Sequence, residues 1–229
     1  MPSRRRFLAL PLLIAPPLVR GADTADAILR RMAAAYAALG AYQDSGDVRY
    51  EVTGTAQQIV FRTAFERPRR FRFEWIMHHP FAPLRFFKTT RVLRSDGEST
   101  FTAVSRTWGK SGEQRDESLA RGVAGATGVS AGSVHTIATL LIPNLWASEP
   151  FGVSLVAIGS PRLMGVESVE SVECHRVEGV SRQDEKTQLW IGRDDNMLRR
   201  VARLDRYGNV ETRRGIVVNA KLAPELFVR

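Results

Sequence analysis

Two consecutive segments alternate apolar and polar residues with a period of two. Ile59, Phe61, Thr63 and Phe65 alternate with Gln58, Val60, Arg62 and Ala64. Phe71, Phe73, Trp75 and Met77 alternate with Arg70, Arg72 and Glu74. Arg67-Pro68-Arg69 lies between them, and Pro68 cannot donate to a strand ladder, so it belongs in the turn. Period two sends successive side chains to opposite faces. The result is a hairpin with one aromatic and one charged face. An aromatic face of this kind fills a core or lines an apolar cavity.

The rest of the chain adds strands and a few helices. From Asp23 to Gly40, Ile28, Met32, Ala35 and Leu39 recur at helical spacing; Asp23 or Thr24 caps the start and Gly40 ends it. Val48, Tyr50 and Val52 form another alternating set. Strands over about 86–93 and 99–104 meet at Ser95-Asp96-Gly97-Glu98, a hairpin turn signal. Residues 118–132 are small and glycine-rich and read as a mobile loop. They feed a short apolar helix from Ser133 to Ile142, stopped by Pro143. A loop feeding an apolar helix suits a lid. Strand patterns resume at about 151–158, 172–180, 186–192, 197–205 and 210–220, with turns at Asp194-Asp195-Asn196 and Tyr207-Gly208-Asn209. Short connections make neighbours antiparallel. The expectation is one α+β domain, a curved antiparallel meander with two or three helices.

The first residues read as an export signal. Ser3-Arg4-Arg5-Arg6-Phe7-Leu8 places a twin arginine before a short apolar run, the pattern of Tat-type signals. An arginine-rich start also serves the general secretory route. The run from Phe7 to Val19 is broken by Pro11, Pro16 and Pro17 and falls short of the roughly 20 residues of a bilayer span. The expected division is a signal over 1–22, cleaved near Gly21–Ala22, and one domain over 23–229. The mature protein is then periplasmic, with no transmembrane anchor.

Cleavage would remove Arg4, Arg5, Arg6 and Arg20, taking the formal charge from +9 to about +5. The remaining arginines are interleaved with glutamates, which favours solvated strand faces and argues against nucleic-acid binding. The lone cysteine, Cys174, sits in an alternating stretch as a small buried strand residue.

Signals for catalysis are thin. Gly128-Val129-Ser130-Ala131-Gly132 matches G-x-S-x-G, but residues 121–127 are too small and polar for the buried strand a nucleophile elbow requires. A hydrolase built on Ser130 ranks third among the functional readings. His78 and His79 are adjacent, and His135 and His175 stand apart, so no zinc-ligand spacing exists. Asp194-Asp195-Asn196 lacks the spacing of a calcium loop. No metal, cofactor or catalytic group is expected.

Thr63–Trp75 resembles the strand, Arg-Pro, x-x-Phe-x-Trp segment of the LolA-like outer-membrane lipoprotein carriers. Val92–Phe101 is similar to their Asp-Gly hairpin, with Thr100 or Phe101 where the family has Trp. Gln188–Arg200 resembles their late strand–turn–strand hairpin. The resemblance covers most of residues 24–228 and points to a predicted-periplasmic branch. It implies a half-open β-barrel with a helical lid. It also implies a soluble carrier that holds an acyl chain, lipoprotein or other amphipathic ligand non-covalently. Arg67 falls on the family's lid-locking arginine. The expected apolar wall is Phe61, Phe65, Phe71, Phe73 and Trp75, covered by Ile137 and Leu141. Expected partners are lipid or lipoprotein acyl chains, with an envelope protein as a second class. The rival reading is a periplasmic interaction or sensing module that uses the same fold without lipid transfer.

Overall fold

The computed structural model describes residues 23–78, 87–146, 157–181, 184–204 and 207–228. The proposed signal and part of the expected strand at 151–158 lie outside them. The chain begins with helix α1 (Ala25–Ala38), whose first turn is capped by Thr24: its Oγ1 accepts from the Ala27 N–H at 3.2 Å. Ile28, Met32 and Tyr36, four residues apart, form its buried stripe.

Six strands then meander outward: β1 (Ala41–Val52), β2 (Thr55–Glu66), β3 (Arg70–His78), β4 (Lys88–Asp96), β5 (Thr100–Arg106) and β6 (Gly112–Asp116). Helices α2 (Leu119–Thr127) and α3 (Ser133–Leu141) carry the chain to the far edge. Five strands return: β7 (Gly159–Val169), β8 (Val172–Val180), β9 (Lys186–Gly192), β10 (Leu198–Arg203) and β11 (Val210–Val218). The last of these pairs with β1, giving one sheet ordered β6-β5-β4-β3-β2-β1-β11-β10-β9-β8-β7. Every pairing is antiparallel. The sheet curves into the expected half-open barrel, and the three helices pack on its concave face. The main apolar core lies between them.

The Asp-Gly hairpin forms as its residues dictate. Asp96 Oδ1 accepts from the Glu98 and Ser99 N–H groups at 2.9 and 2.8 Å, and Gly97 adopts φ +106°.

Three segments depart from the sequence reading. The expected glycine-rich loop at 118–132 is largely helix α2. Leu119, Ala120, Val123 and Ala126 recur at helical spacing and are buried, and Ser118 caps the start. Gly122 is there for packing rather than mobility. A Cβ on it would lie 2.6 Å from Leu93 Cδ1 and 3.1 Å from Asp116 Oδ2, so only glycine lets α2 approach the sheet so closely. Strand β7 was hidden by Pro161 and by register shifts between 159/162 and 163/165, which break the period of two. Strand β6 (Gly-Glu-Gln-Arg-Asp) has no apolar alternation because it is a solvated edge.

Candidate functional site: an apolar wall under a helical cover

The aromatic face forms from direct cross-strand pairs. Phe65 faces Phe71, Thr63 faces Phe73, and Phe61 faces Trp75 across β2 and β3. Leu93 of β4 continues the row beside Phe73. The Phe61 and Phe73 rings stack with centroids 5.3 Å apart, and Phe73 and Trp75 tilt together at 5.7 Å. Ile137 and Leu141 reach the same cluster from α3. All seven residues of the expected wall and cover are therefore brought together. The opposite face carries Arg62, Arg70, Arg72 and Glu74, as the alternation requires, with an Arg72–Glu74 ion pair at 3.0 Å.

The wall is closed to water in this state. Phe65, Phe71, Phe73, Trp75, Ile137 and Leu141 are all 0% exposed, because the helices rest directly on them. Trp75 also donates its Nε1–H to the Val129 carbonyl at 3.0 Å, tying the floor to the turn between α2 and α3.

Arg67 sits in the β2–β3 turn and reaches two helix ends. Its Nε donates to the Leu39 carbonyl at 2.6 Å, and its Nη2 donates to the Tyr36 and Leu141 carbonyls at 3.1 and 3.4 Å. Helix C-termini leave carbonyls unpaired and carry partial negative charge, so a guanidinium is a suitable partner. Arg67 remains an exposed residue, which makes this tether a weak one.

A second polar cluster was not foreseen. Arg213 of β11 is 1% exposed, donates to Asp44 Oδ2 at 2.6 Å and Glu211 Oε1 at 2.5 Å, and donates to the Ser133 carbonyl of α3 at 3.0 Å. Its guanidinium lies 4.8 Å from the Phe61 ring centroid. Arg203 of β10 donates from Nη2 to Thr136 Oγ1 on α3 at 2.7 Å. The Tyr42 hydroxyl donates to Asp44 at 2.7 Å. Gly46 makes the room: a Cβ there would lie 2.1 Å from the Thr212 carbonyl oxygen and 2.5 Å from Phe61 Cζ. The sequence did hold a signal. Glu211 and Arg213 lie two apart in a strand and so share a face, and that face is the inward one. Burial alone would lower the Arg213 pKa, but Glu211 and Asp44 hold it well above the usual arginine value. Burial pushes Tyr36 up to about 12 and Tyr42 upward as well.

The remaining candidates have structural surroundings. Ser130 is buried in a 3-10 turn, where its hydroxyl donates to the Thr127 carbonyl at 3.2 Å and accepts from the Val134 N–H at 3.5 Å. Those contacts close a turn and start a helix. His135 stacks on Trp146 at 5.1 Å. Cys174 is buried on the outer face in a small cluster with Trp190 and Ala202. Asp195 Oδ1 accepts from the Met197 N–H at 2.9 Å in the β9–β10 turn. His78 ends β3, and His79 lies outside the described residues. Among the described residues no group of three His, Cys, Asp or Glu could hold a metal ion, and no helix is long and apolar enough to cross a membrane.

No family model matches the chain, and no curated protein does. Solved structures do. LprF from Mycobacterium bovis aligns with 87% of this chain and 94% of its own, at 12% identity and TM-score 0.51. MucB, solved in complex with MucA, aligns with 88% of this chain at 17% identity and TM-score 0.46; the match spans 58% of the MucB chain. A LolA superfamily protein, NE2245 from Nitrosomonas europaea, aligns with 91% of this chain and 99% of its own at 11% identity and TM-score 0.35. At these identities the likeness is one of fold. A single curved antiparallel sheet, half-closed around three helices that cover its concave face, gives this chain the LolA-like fold.

Proposed function

We propose that the chain is a soluble periplasmic carrier that holds an acyl chain, lipoprotein or other amphipathic ligand without covalent chemistry. The observation that carries this reading is the nature of the cover. The aromatic wall is roofed by helices rather than by a second sheet; α3 packs on the floor through Val134, Ile137, Ala138, Leu140 and Leu141 and is pinned at its two ends by Arg213 and Arg67. Lifting α3 would expose Phe61, Phe65, Phe71, Phe73 and Trp75 as one continuous apolar trough. A ligand chain would replace contacts now made by Ile137 and Leu141. Burial is worth roughly 25 cal/mol per Å², so an acyl chain could compensate for the opened core. A fluorescent fatty-acid probe should bind the purified protein and quench Trp75; absence of binding to any apolar probe would remove the carrier reading. Export is tested separately. Replacing Arg4 and Arg5 by Lys should stop Tat-dependent transport, and a mature form that still reaches the periplasm of a Tat-deficient strain would overturn that route.

A second reading has its own support. The charged outer face holds a groove of about 590 Å³ lined by residues including Arg62, Arg72, Glu74 and Glu225. A neighbouring groove of about 560 Å³ shares Arg62 and Glu74. An interaction module would use this outer surface and leave the core shut. Purified protein that carries no lipid yet retains an envelope protein partner through Arg62 and Arg72 would favour it; loss of the partner on lid variants alone would count against it.

A further inference from the structure

Arg203 is the least satisfied charge beneath the cover. It is 7% exposed and lies on the inward face of β10, two residues from the core residue Val201. Two carboxylates face the two buried guanidiniums, but both are committed closely to Arg213, at 2.6 and 2.5 Å. Arg203 is left with a 3.7 Å contact to Glu211 Oε2. Only its Nη2 donates a hydrogen bond, to Thr136 Oγ1, while Nε and Nη1 have no partner. Unpaired donors on a buried cation are costly, and a guanidinium fork fits the oxygens of a carboxylate or phosphate. Thr136 precedes Ile137 on α3, so the polar contact and the apolar cover leave together when that helix lifts. Opening would free a third nitrogen on Arg203, one strand beyond Arg213, whose guanidinium lies 4.8 Å from the Phe61 ring at the edge of the aromatic trough.

We propose that Arg203 anchors the anionic head, carboxylate or phosphate, of an amphiphile whose chain lies along Phe61, Phe73 and Trp75. This rests on the carrier reading and adds head-group selectivity to it. Arg213 stays with Asp44 and Glu211 as a fixed wall of the site, and Arg203 exchanges Thr136 for the ligand.

The test compares a fluorescent long-chain fatty acid with its methyl ester on the full chain, with inorganic phosphate as a separate arm. The acid should bind about tenfold or more tightly than the ester, the size expected for a charge-assisted bond. Arg203→Gln should erase that preference, so that acid and ester bind the variant alike whatever their common affinity, and Arg203→Lys should restore part of the difference. Thr136→Val frees Nη2 without touching Arg203 and should sharpen the preference, which keeps the test decisive if Arg203→Gln fails to fold. Equal binding of acid and ester would overturn the anchor while leaving the carrier reading intact. Binding of neither probe would overturn both. Phosphate bound through Arg203, with no acid-over-ester preference, would assign the residue to a free anion and overturn the lipid-head proposal.

Discussion

Arg67 Nη2 lies 3.4 Å from the carbonyl oxygen of Leu141, the last residue of the cover helix α3. The same guanidinium holds the Leu39 and Tyr36 carbonyls at the end of α1. One exposed side chain in a β-turn thus joins two helices that cover the wall, and at its other end α3 is held by the buried Arg213. We expect the Arg67 end to open first. Arg67→Leu should raise hydrogen exchange across residues 118–142 by a few-fold, in line with about 1 kcal/mol for a partly exposed set of bonds. Unchanged protection there, with the fold intact, would remove Arg67 from this role.

Phe73 measures how much the closed state depends on the wall. It is 0% exposed and touches the rings of both Phe61 and Trp75. Phe73→Ala should lower unfolding free energy by about 3–5 kcal/mol, the usual cost of deleting a packed aromatic. Denaturant titration gives the value directly. A loss below about 1 kcal/mol would mean that the core collapses around the deletion and that the wall is not tightly packed.

Asp44 and Arg213 form a buried pair, both side chains at 0% exposure. Glu211 is bound to the same guanidinium, so removing Arg213 strands two buried carboxylates, whereas removing Asp44 leaves Arg213 paired with Glu211. Arg213→Met should therefore cost about 3–5 kcal/mol and Asp44→Asn less, because Arg213 keeps one partner. Thermal or urea unfolding of the two single variants and their double forms the cycle. A double variant as unstable as the sum of the singles would show that Asp44 and Arg213 are not coupled.

His175 makes stability depend on pH. Burial lowers its pKa below the ordinary 6.5, partly offset by Asp23, whose Oδ2 is 3.5 Å from Nε2. The unfolded chain takes up this proton more readily than the folded one. Its contribution is therefore present above pH 6.5 and is lost as pH falls from there towards the lower folded value. Unfolding free energy should decline over that window, and His175→Gln should flatten the decline. An identical slope in the variant would show that other groups set it.

The parts of the fold visible in the sequence were those where local pattern and global packing agree. Alternation across Pro68 gave both strands of the central hairpin and the correct face for Phe61, Phe65, Phe71, Phe73 and Trp75. Asp96-Gly97 marked its turn because the side chain itself caps the backbone. Helix α2 was hidden because Gly122, Gly125 and the alanines read as loop chemistry, whereas tertiary packing against Leu93 selects small residues there. Strand β7 was hidden by its bulges. The buried arginines were missed because charge was read as a sign of solvent, and only the register of β1 against β11 brings Asp44 and Arg213 together beneath α3. Arg67 came from resemblance, since nothing local announces hydrogen bonds to residues 28 and 74 positions away.

A carrier of this design holds its acyl chain along the covered wall when it is taken from the cell. Native mass spectrometry of protein purified from cells that express the full chain, followed by solvent extraction, should show an added mass that extraction releases as an acyl-bearing lipid, and a fatty-acid probe added back should change Trp75 emission. A protein that runs at its bare polypeptide mass, yields no lipid and binds no apolar probe would contradict the carrier reading. In that case Phe61, Phe65, Phe71, Phe73 and Trp75 are ordinary core.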